Sequence, residues 1–280
     1  MADYVIECKN ITYTYPISEE PAIKQLSLNI ERGKFYGIVG NNGSGKSTLC
    51  AILRGFAPAY FKGKLDGEVV FNGKDISQYG YELSKMIGYV FQNPFTQISG
   101  VKNTVFEEIA YGLENLGIER ETIISEVEKI LKLLEIEKLR DKNPYNLSGG
   151  QKQRVALASI IAMNPDILVI DEPTSQLDPK GTEDIFKIIN LMANEGKTII
   201  LVEHKLELIA EYAENILVLD EGEIILSGKA NEVLNNKILL EKEIGMTQYS
   251  MLAYELEKAR KIELEEIPIT KEKTVELLKK

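Results

Sequence analysis

The sequence predicts an α/β chain organised around a parallel sheet, and three observations carry that prediction. Two short apolar runs, Ile167 to Ile170 and Thr198 to Val202, are separated by a helix-length segment from about Lys180 to Asn194. Continuously apolar strands are buried on both faces, which is the pattern of a parallel sheet covered by helices. A third apolar run, Phe35 to Val39, passes straight into a glycine-rich loop. The first part of the chain, to about residue 75, reads instead as β-rich.

In chain order, Tyr4 to Tyr15 and Lys24 to Ile30 show strand-like alternation, and Gly67 to Phe71 leads into the turn Asn72-Gly73. From about Val105 to Leu134 the periodicity becomes helical. Thr104 and Glu107 have capping-box spacing, and Ile123, Val127, Ile130, Leu131 and Leu134 share one face. Ser148 is placed to cap a helix from about Gln151 to Met163, which stops at Asn164-Pro165. After about Ala230 the chain turns to short helical segments. Met251, Leu252, Leu256 and Ala259 make one face there, and Thr270 could cap a last helix carrying Val275, Leu277 and Leu278. This tail reads either as a small appended subdomain or as a helical extension packed on the main core.

Composition limits the partners. The 280 residues carry 43 acids against 33 bases, a net charge of −10. Coating nucleic acid or anionic lipid takes a basic surface, so no nucleic-acid partner is expected. Two cysteines, Cys8 and Cys50, are too few for a disulfide framework, and the single histidine, His204, leaves no Cys/His zinc cluster. No apolar run approaches the roughly 18 residues that a membrane span takes. The N-terminus, Met1-Ala2-Asp3-Tyr4-Val5-Ile6-Glu7, does not read as a signal peptide. A soluble, cytosolic chain is the expectation.

Gly40-Asn41-Asn42-Gly43-Ser44-Gly45-Lys46-Ser47-Thr48 fits the pattern G-x-x-x-x-G-K-[ST]. Glycines let the backbone curl so that successive N–H groups face one anion, and the following helix presents its positive end to the same anion. Lys46 supplies a point charge for β- and γ-phosphates, and Ser47 a hydroxyl for Mg²⁺. A nucleoside triphosphate is the implied ligand. The strand at Ile167 ends in Asp171 and Glu172, at the carboxyl end where open α/β sheets place ligands. Asp171 is positioned to hold Mg²⁺, and Glu172 to act as general base or to orient an attacking water.

Asn146-Leu147-Ser148-Gly149-Gly150-Gln151, followed by Lys152-Gln153-Arg154, precedes the paired acids. With Leu-Ser-Gly-Gly-Gln in that place the chain resembles the ATP-binding-cassette ATPases, over residues 1 to about 230. The resemblance implies a P-loop NTPase (RecA-like) core, an antiparallel β subdomain and an α-helical subdomain at about 92–148. Residues 231–280 would then form a small C-terminal extension of a dimerisation type. ATP and Mg²⁺ are the implied cofactors. By resemblance Tyr15 stacks on adenine, with Tyr13 as a substitute, and Gln92 senses Mg²⁺ and the γ-phosphate. Asp178 contacts the opposite subunit, and His204 is the switch histidine. None of these positions is substituted, which implies a competent hydrolase. In this family the signature of one subunit closes over the phosphate loop of another. Ser148, Gly149, Gly150 and Gln151 would therefore serve a second ATPase subunit, identical or homologous.

Only about 100 residues separate Lys46 from Ser148, which leaves no room for the long coiled coil of repair cassettes. One phosphate loop argues against the two-unit translation cassettes, and the missing membrane helices against fused exporters. Within importers the stretch Phe91 to Gln97, Thr104 to Asn115 and Asp171 to Gly181 is similar to the ATPases of energy-coupling factor transporters, including cobalt and nickel systems. So is the tail around Ile267-Pro268-Ile269-Thr270. That resemblance implies an integral membrane coupling subunit, a substrate-binding membrane component, and a peripheral place on the cytoplasmic face of the cell membrane. The transported cargo would be a vitamin or a transition-metal ion. An ordinary importer with two permeases and a binding protein is the alternative. Phe95 and Gln176 are less usual at their places, and Val202-Glu203-His204-Lys205 replaces the commoner Thr-His-Asp.

Overall fold

A computed structural model describes residues 3–259 and 266–279. Met1 and Ala2, the start of the N-terminal segment considered above, lie outside the described residues. Strands β1 (Tyr4–Thr14), β2 (Ile23–Glu31), β3 (Phe35–Gly40), β4 (Lys64–Phe71) and β5 (Lys74–Asp75) are followed by β6 (Ile87–Val90), β7 (Ile167–Asp171), β8 (Thr198–Val202), β9 (Asn215–Asp220) and β10 (Glu223–Lys229). They form an antiparallel sheet of order β2-β1-β4-β5 and a second sheet of order β10-β9-β3-β8-β7-β6. In the second sheet β9, β3, β8, β7 and β6 are parallel, and β10 closes the edge antiparallel to β9.

Every residue of β3, β7 and β8 is buried. Alternate side chains go to two different cores, because a strand's side chains alternate faces. Ile38, Val169, Ile200 and Val202 meet the antiparallel sheet and the helix Lys46–Leu53. Val39, Leu168, Ile170 and Leu201 meet the helices on the other side. The expected parallel sheet with both faces covered is therefore present, with the antiparallel sheet forming one of the covers.

The helical stretch holds two helices, Val105–Asn115 and Arg120–Leu133. The break falls at Gly117, whose φ of 71° is the left-handed conformation that ends helices. The Thr104–Glu107 capping box forms in both directions. Ile109, Val127 and Leu131 pack with Val155 and Ala158 of the helix Gly149–Ala162. That helix begins two residues before the expected start, because Ser148 and Gln151 form a reciprocal capping box. Strands β6, β9 and β10 go beyond those expected from the sequence. β6 has four residues, too short for a period to show. The β9–β10 hairpin turns through Glu221 and Gly222, both at positive φ, and glutamate is no turn signal at such a position.

In the tail, Leu239 and Ile269 join Val233 and Leu234 in the same core that lines the parallel sheet. The expected apolar face of the helix Gln248–Lys258 is not the inward one. Met251 and Leu252 are exposed, whereas Ser250 and Ala253 are buried. Hydrogen bonding decides the orientation. Ser250 Oγ donates to Asn235 Oδ1 at 2.9 Å and to Pro268 O at 3.2 Å, and Tyr254 Oη donates to Asn235 O at 2.9 Å. Thr270 precedes the helix Lys271–Leu278, but its side chain does not cap it. Val275 and Leu278 are exposed. Among the described residues no helix is long and apolar enough to cross a membrane.

Candidate functional site

The carboxyl ends of the parallel strands converge on one place. β3 ends at Gly40 and opens the loop to Lys46, β7 ends at Asp171, β8 is followed by His204, and β6 by Gln92. Gly40 has φ +150°, and a Cβ there would sit 2.1 Å from the carbonyl oxygen of Leu219. Gly45 has φ +101°, with Ala22 O only 2.7 Å from where a Cβ would be. The loop is thus folded too close to its surroundings for any side chain at these two positions.

A polar cavity of about 680 Å³ lies over the loop. Tyr15, Ala22, Asn42, Gly43, Gly45, Lys46, Ser47, Thr48, Gln92, Glu172 and His204 line it. Tyr15 Oη is 3.0 Å from Thr48 Oγ1, and its ring sits edge-on to Tyr13, with centroids 5.0 Å apart. Tyr13 itself is buried, and its hydroxyl donates to Phe61 O and Lys62 O. It cannot stand in for Tyr15 on a ligand, so that substitute is excluded.

Lys46 is only 5% exposed, and its Nζ donates to Gly40 O and Asn41 O, each at 2.9 Å. Burial pulls its pKa down, while Glu172 and Asp171 act against the shift. The site therefore holds a desolvated cation beside the loop's curled backbone, a setting that favours an anion. Asp171, 6% exposed, is pushed up by burial. Its Oδ2 accepts from Tyr89 Oη at 3.2 Å, and its Oδ1 is buried without a partner. Glu172 accepts from Gln92 Nε2 at 2.5 Å through Oε2, and its Oε1 lies 2.8 Å from His204 Nε2. Glu172 has φ 44°, a left-handed backbone unusual for a non-glycine residue, and such strain concentrates at functional sites.

Ser148, Gly149, Gly150, Gln151 and Asp178 line a different cavity of about 660 Å³, with Gln176, Leu177 and Gly181. Asp178 Oδ1 accepts from Gly181 N at 2.7 Å and caps the helix Pro179–Asn194. The two cavities share no lining residue. Within one chain the phosphate loop and the signature stay apart. Three phosphate-loop residues also lie off the first cavity. Gly40 is at the strand end, Ser44 is buried with an unpartnered hydroxyl, and Asn41 Nδ2 donates to Lys242 O in the tail at 2.8 Å.

Sequence reasoning missed Ala22, which lines the cavity, Tyr89, which holds Asp171, and Glu203, discussed below. Tyr89 sits in a four-residue strand that is buried throughout, so no alternation marks it. Nothing in the sequence marks Ala22, which is brought in by β2.

The fold and this site define a P-loop nucleotide-binding α/β protein. The family profile for ABC transporters matches residues 23–175. A putative ABC transporter ATP-binding protein of Pyrococcus horikoshii is 42% identical over 279 residues, covering 98% of this chain and 96% of that protein. An energy-coupling factor transporter ATP-binding protein, EcfA2, of Acetivibrio thermocellus is 40% identical, covering 86% of this chain and 85% of that one. Among solved structures, cbiO1 of Clostridium perfringens, described as part of the ABC transporter complex cbiONQ, superposes with a TM-score of 0.75 at 33% identity. It matches 93% of this chain and 100% of its own. The chain belongs to the ABC transporter family and is one of its ATP-binding, ATP-hydrolysing subunits.

Proposed function

We propose that this chain is the ATPase subunit of an energy-coupling factor importer, powering uptake of a vitamin or transition-metal ion. The observation that carries the reading is the 40% identity to an energy-coupling factor ATP-binding protein over 86% of the chain. Residues 1–230 are the nucleotide-binding domain, with the helical subdomain at about 92–148. Residues 231–280 are a C-terminal dimerisation-type extension.

In this reading Tyr15 faces the adenine, and the loop Gly40–Thr48 with Lys46 cradles the phosphates. Glu172 orients the attacking water and receives its proton. Gln92 and His204 each hold one Glu172 oxygen and fix its direction. Ser47, Gln92 and Asp171 fit Mg²⁺, because Asp171 presents a buried oxygen with no protein partner. Among the described residues no cluster of three or more His, Cys, Asp or Glu could hold a metal ion. Mg²⁺ is commonly held by one or two protein ligands together with substrate phosphates. When bound, the ion neutralises charge on the β- and γ-phosphates.

The separation of the two cavities supports a site completed in trans. Ser148, Gly149, Gly150 and Gln151 serve the nucleotide of a second cassette, identical or homologous, and Asp178 meets that cassette. ATP binds the closed pair better than the open one, and that difference in affinity drives the motion. A membrane coupling subunit and a separate substrate-binding membrane component complete the importer, with this chain peripheral on the cytoplasmic face.

Isolation of the chain from its native membranes in mild detergent tests the assembly. One coupling protein and one small substrate-binding membrane protein are expected to come with it. A pair of permeases would place it among the ordinary importers.

A further inference from the structure

Beyond the last strand pair, Asp171 with Val202, the chain leaving β7 and the chain leaving β8 stay joined by three contacts. Glu172 N donates to Val202 O at 3.0 Å. Thr174 Oγ1 donates to Glu203 Oε1 at 2.8 Å. His204 Nε2 lies 2.8 Å from Glu172 Oε1. The middle contact is interior, with Thr174 1% and Glu203 3% exposed. The other Glu203 oxygen, Oε2, is buried and meets no partner. From the next turn of chain, Lys205 Nζ donates to Thr174 Oγ1 at 3.3 Å and to Thr182 Oγ1 at 3.1 Å. Thr182 lies in the first turn of the helix that Asp178 caps. One network therefore ties the His204 loop both to Glu172 and to the Asp178 loop.

A carboxyl in this place does not serve stability. Taking it out of water with one oxygen unpaired is costly. Burial pushes the Glu203 carboxyl up, against the pull of Thr174 and Lys205. A carboxyl held higher in the folded chain than in the unfolded one loses stability as pH rises past the unfolded value, so at neutral pH Glu203 opposes folding. Its side chain also does not line the nucleotide cavity.

We propose that Glu203 is a positioning residue that, through Thr174 and Lys205, sets His204 against Glu172 and makes that contact depend on where the Asp178 loop sits. The inference rests on the proposed roles of Glu172, His204 and Asp178. It gives the approach of a second cassette at Asp178 a physical route to the hydrolytic centre of the same chain.

The test is Glu203→Gln in the full chain within its isolated assembly. Glutamine keeps the shape and the Oε1 acceptor and removes the charge facing Lys205. The expected result is a kcat lowered by about 10- to 100-fold, the range of a small misplacement at a reacting centre. KM for ATP stays unchanged, and the thermal midpoint stays unchanged or rises. An unchanged kcat, a raised KM in its place, or a kcat and midpoint that fall together each overturns the proposal. Thr174→Val and the double variant give a second measurement. If the Thr174–Glu203–Lys205 network acts as one unit, the double variant loses no more than the larger single one, whereas effects that multiply mean independent roles and overturn it. Glu172→Gln is assayed in parallel. Full turnover there would indict the reading of the site and not the network.

Discussion

Glu172→Gln is expected to bind ATP as the parent does and to turn it over about 10²- to 10⁴-fold more slowly, the range for a lost acid–base group. The structure makes this a clean substitution. Glutamine can still meet Gln92 and His204, which lie at 2.5 and 2.8 Å from the two Glu172 oxygens, so the loop keeps its shape. In the proposed role, what goes is the carboxylate oxygen that directs the water and takes its proton. The left-handed backbone at Glu172 is retained, because it belongs to the turn and not to the side-chain charge. Single-turnover hydrolysis measured beside equilibrium ATP binding separates the two steps. Near-normal turnover would remove Glu172 from the chemistry and leave His204 and Gln92 holding a structural carboxylate.

Lys46→Ala is expected to weaken ATP binding by about 10- to 150-fold, which corresponds to about 1.5–3 kcal/mol for a hydrogen bond to a charged group. The buried ammonium is held by two backbone carbonyls of its own loop, Gly40 O and Asn41 O. It is thus already oriented over the curled backbone, and its loss removes the point charge without removing the N–H groups. Burial lowers the Lys46 pKa, so a phosphate nearby is the partner that offsets its desolvation. Calorimetry with ATP reads the change. An unaltered affinity would show that the loop is a structural turn.

The parts of the fold legible in the sequence are those whose signal is local. β3, β7 and β8 are continuous apolar runs, and both helix starts at Thr104 and Ser148 carry their capping partners within three residues. The phosphate loop and the paired acids are legible because their chemistry demands fixed spacings. Long-range events were not legible. β9 carries the same kind of apolar run, Ile216 to Leu219, whereas β10 exists because it pairs with β9 and β6 because it pairs with β7. The helix Gln248–Lys258 turns Ser250 inward because Asn235 and Pro268 wait there, a preference that hydrophobic periodicity cannot show. In the site, Tyr89 and Glu203 act on Asp171 and Thr174 across strands, and no spacing announces them.

In the proposed reading a complete site takes the phosphate loop of one chain and the Ser148 loop of another, and mixing two impaired variants, at ATP levels too low for Lys46→Ala to bind, tests this most directly. Lys46→Ala damages only the loop, and Ser148→Arg only the signature. In a mixed pair one intact loop faces one intact signature. With the wild-type pair as the active control, the mixture is expected to show more ATPase activity than either variant alone. Mixtures no more active than the variants measured separately would contradict a site shared between chains.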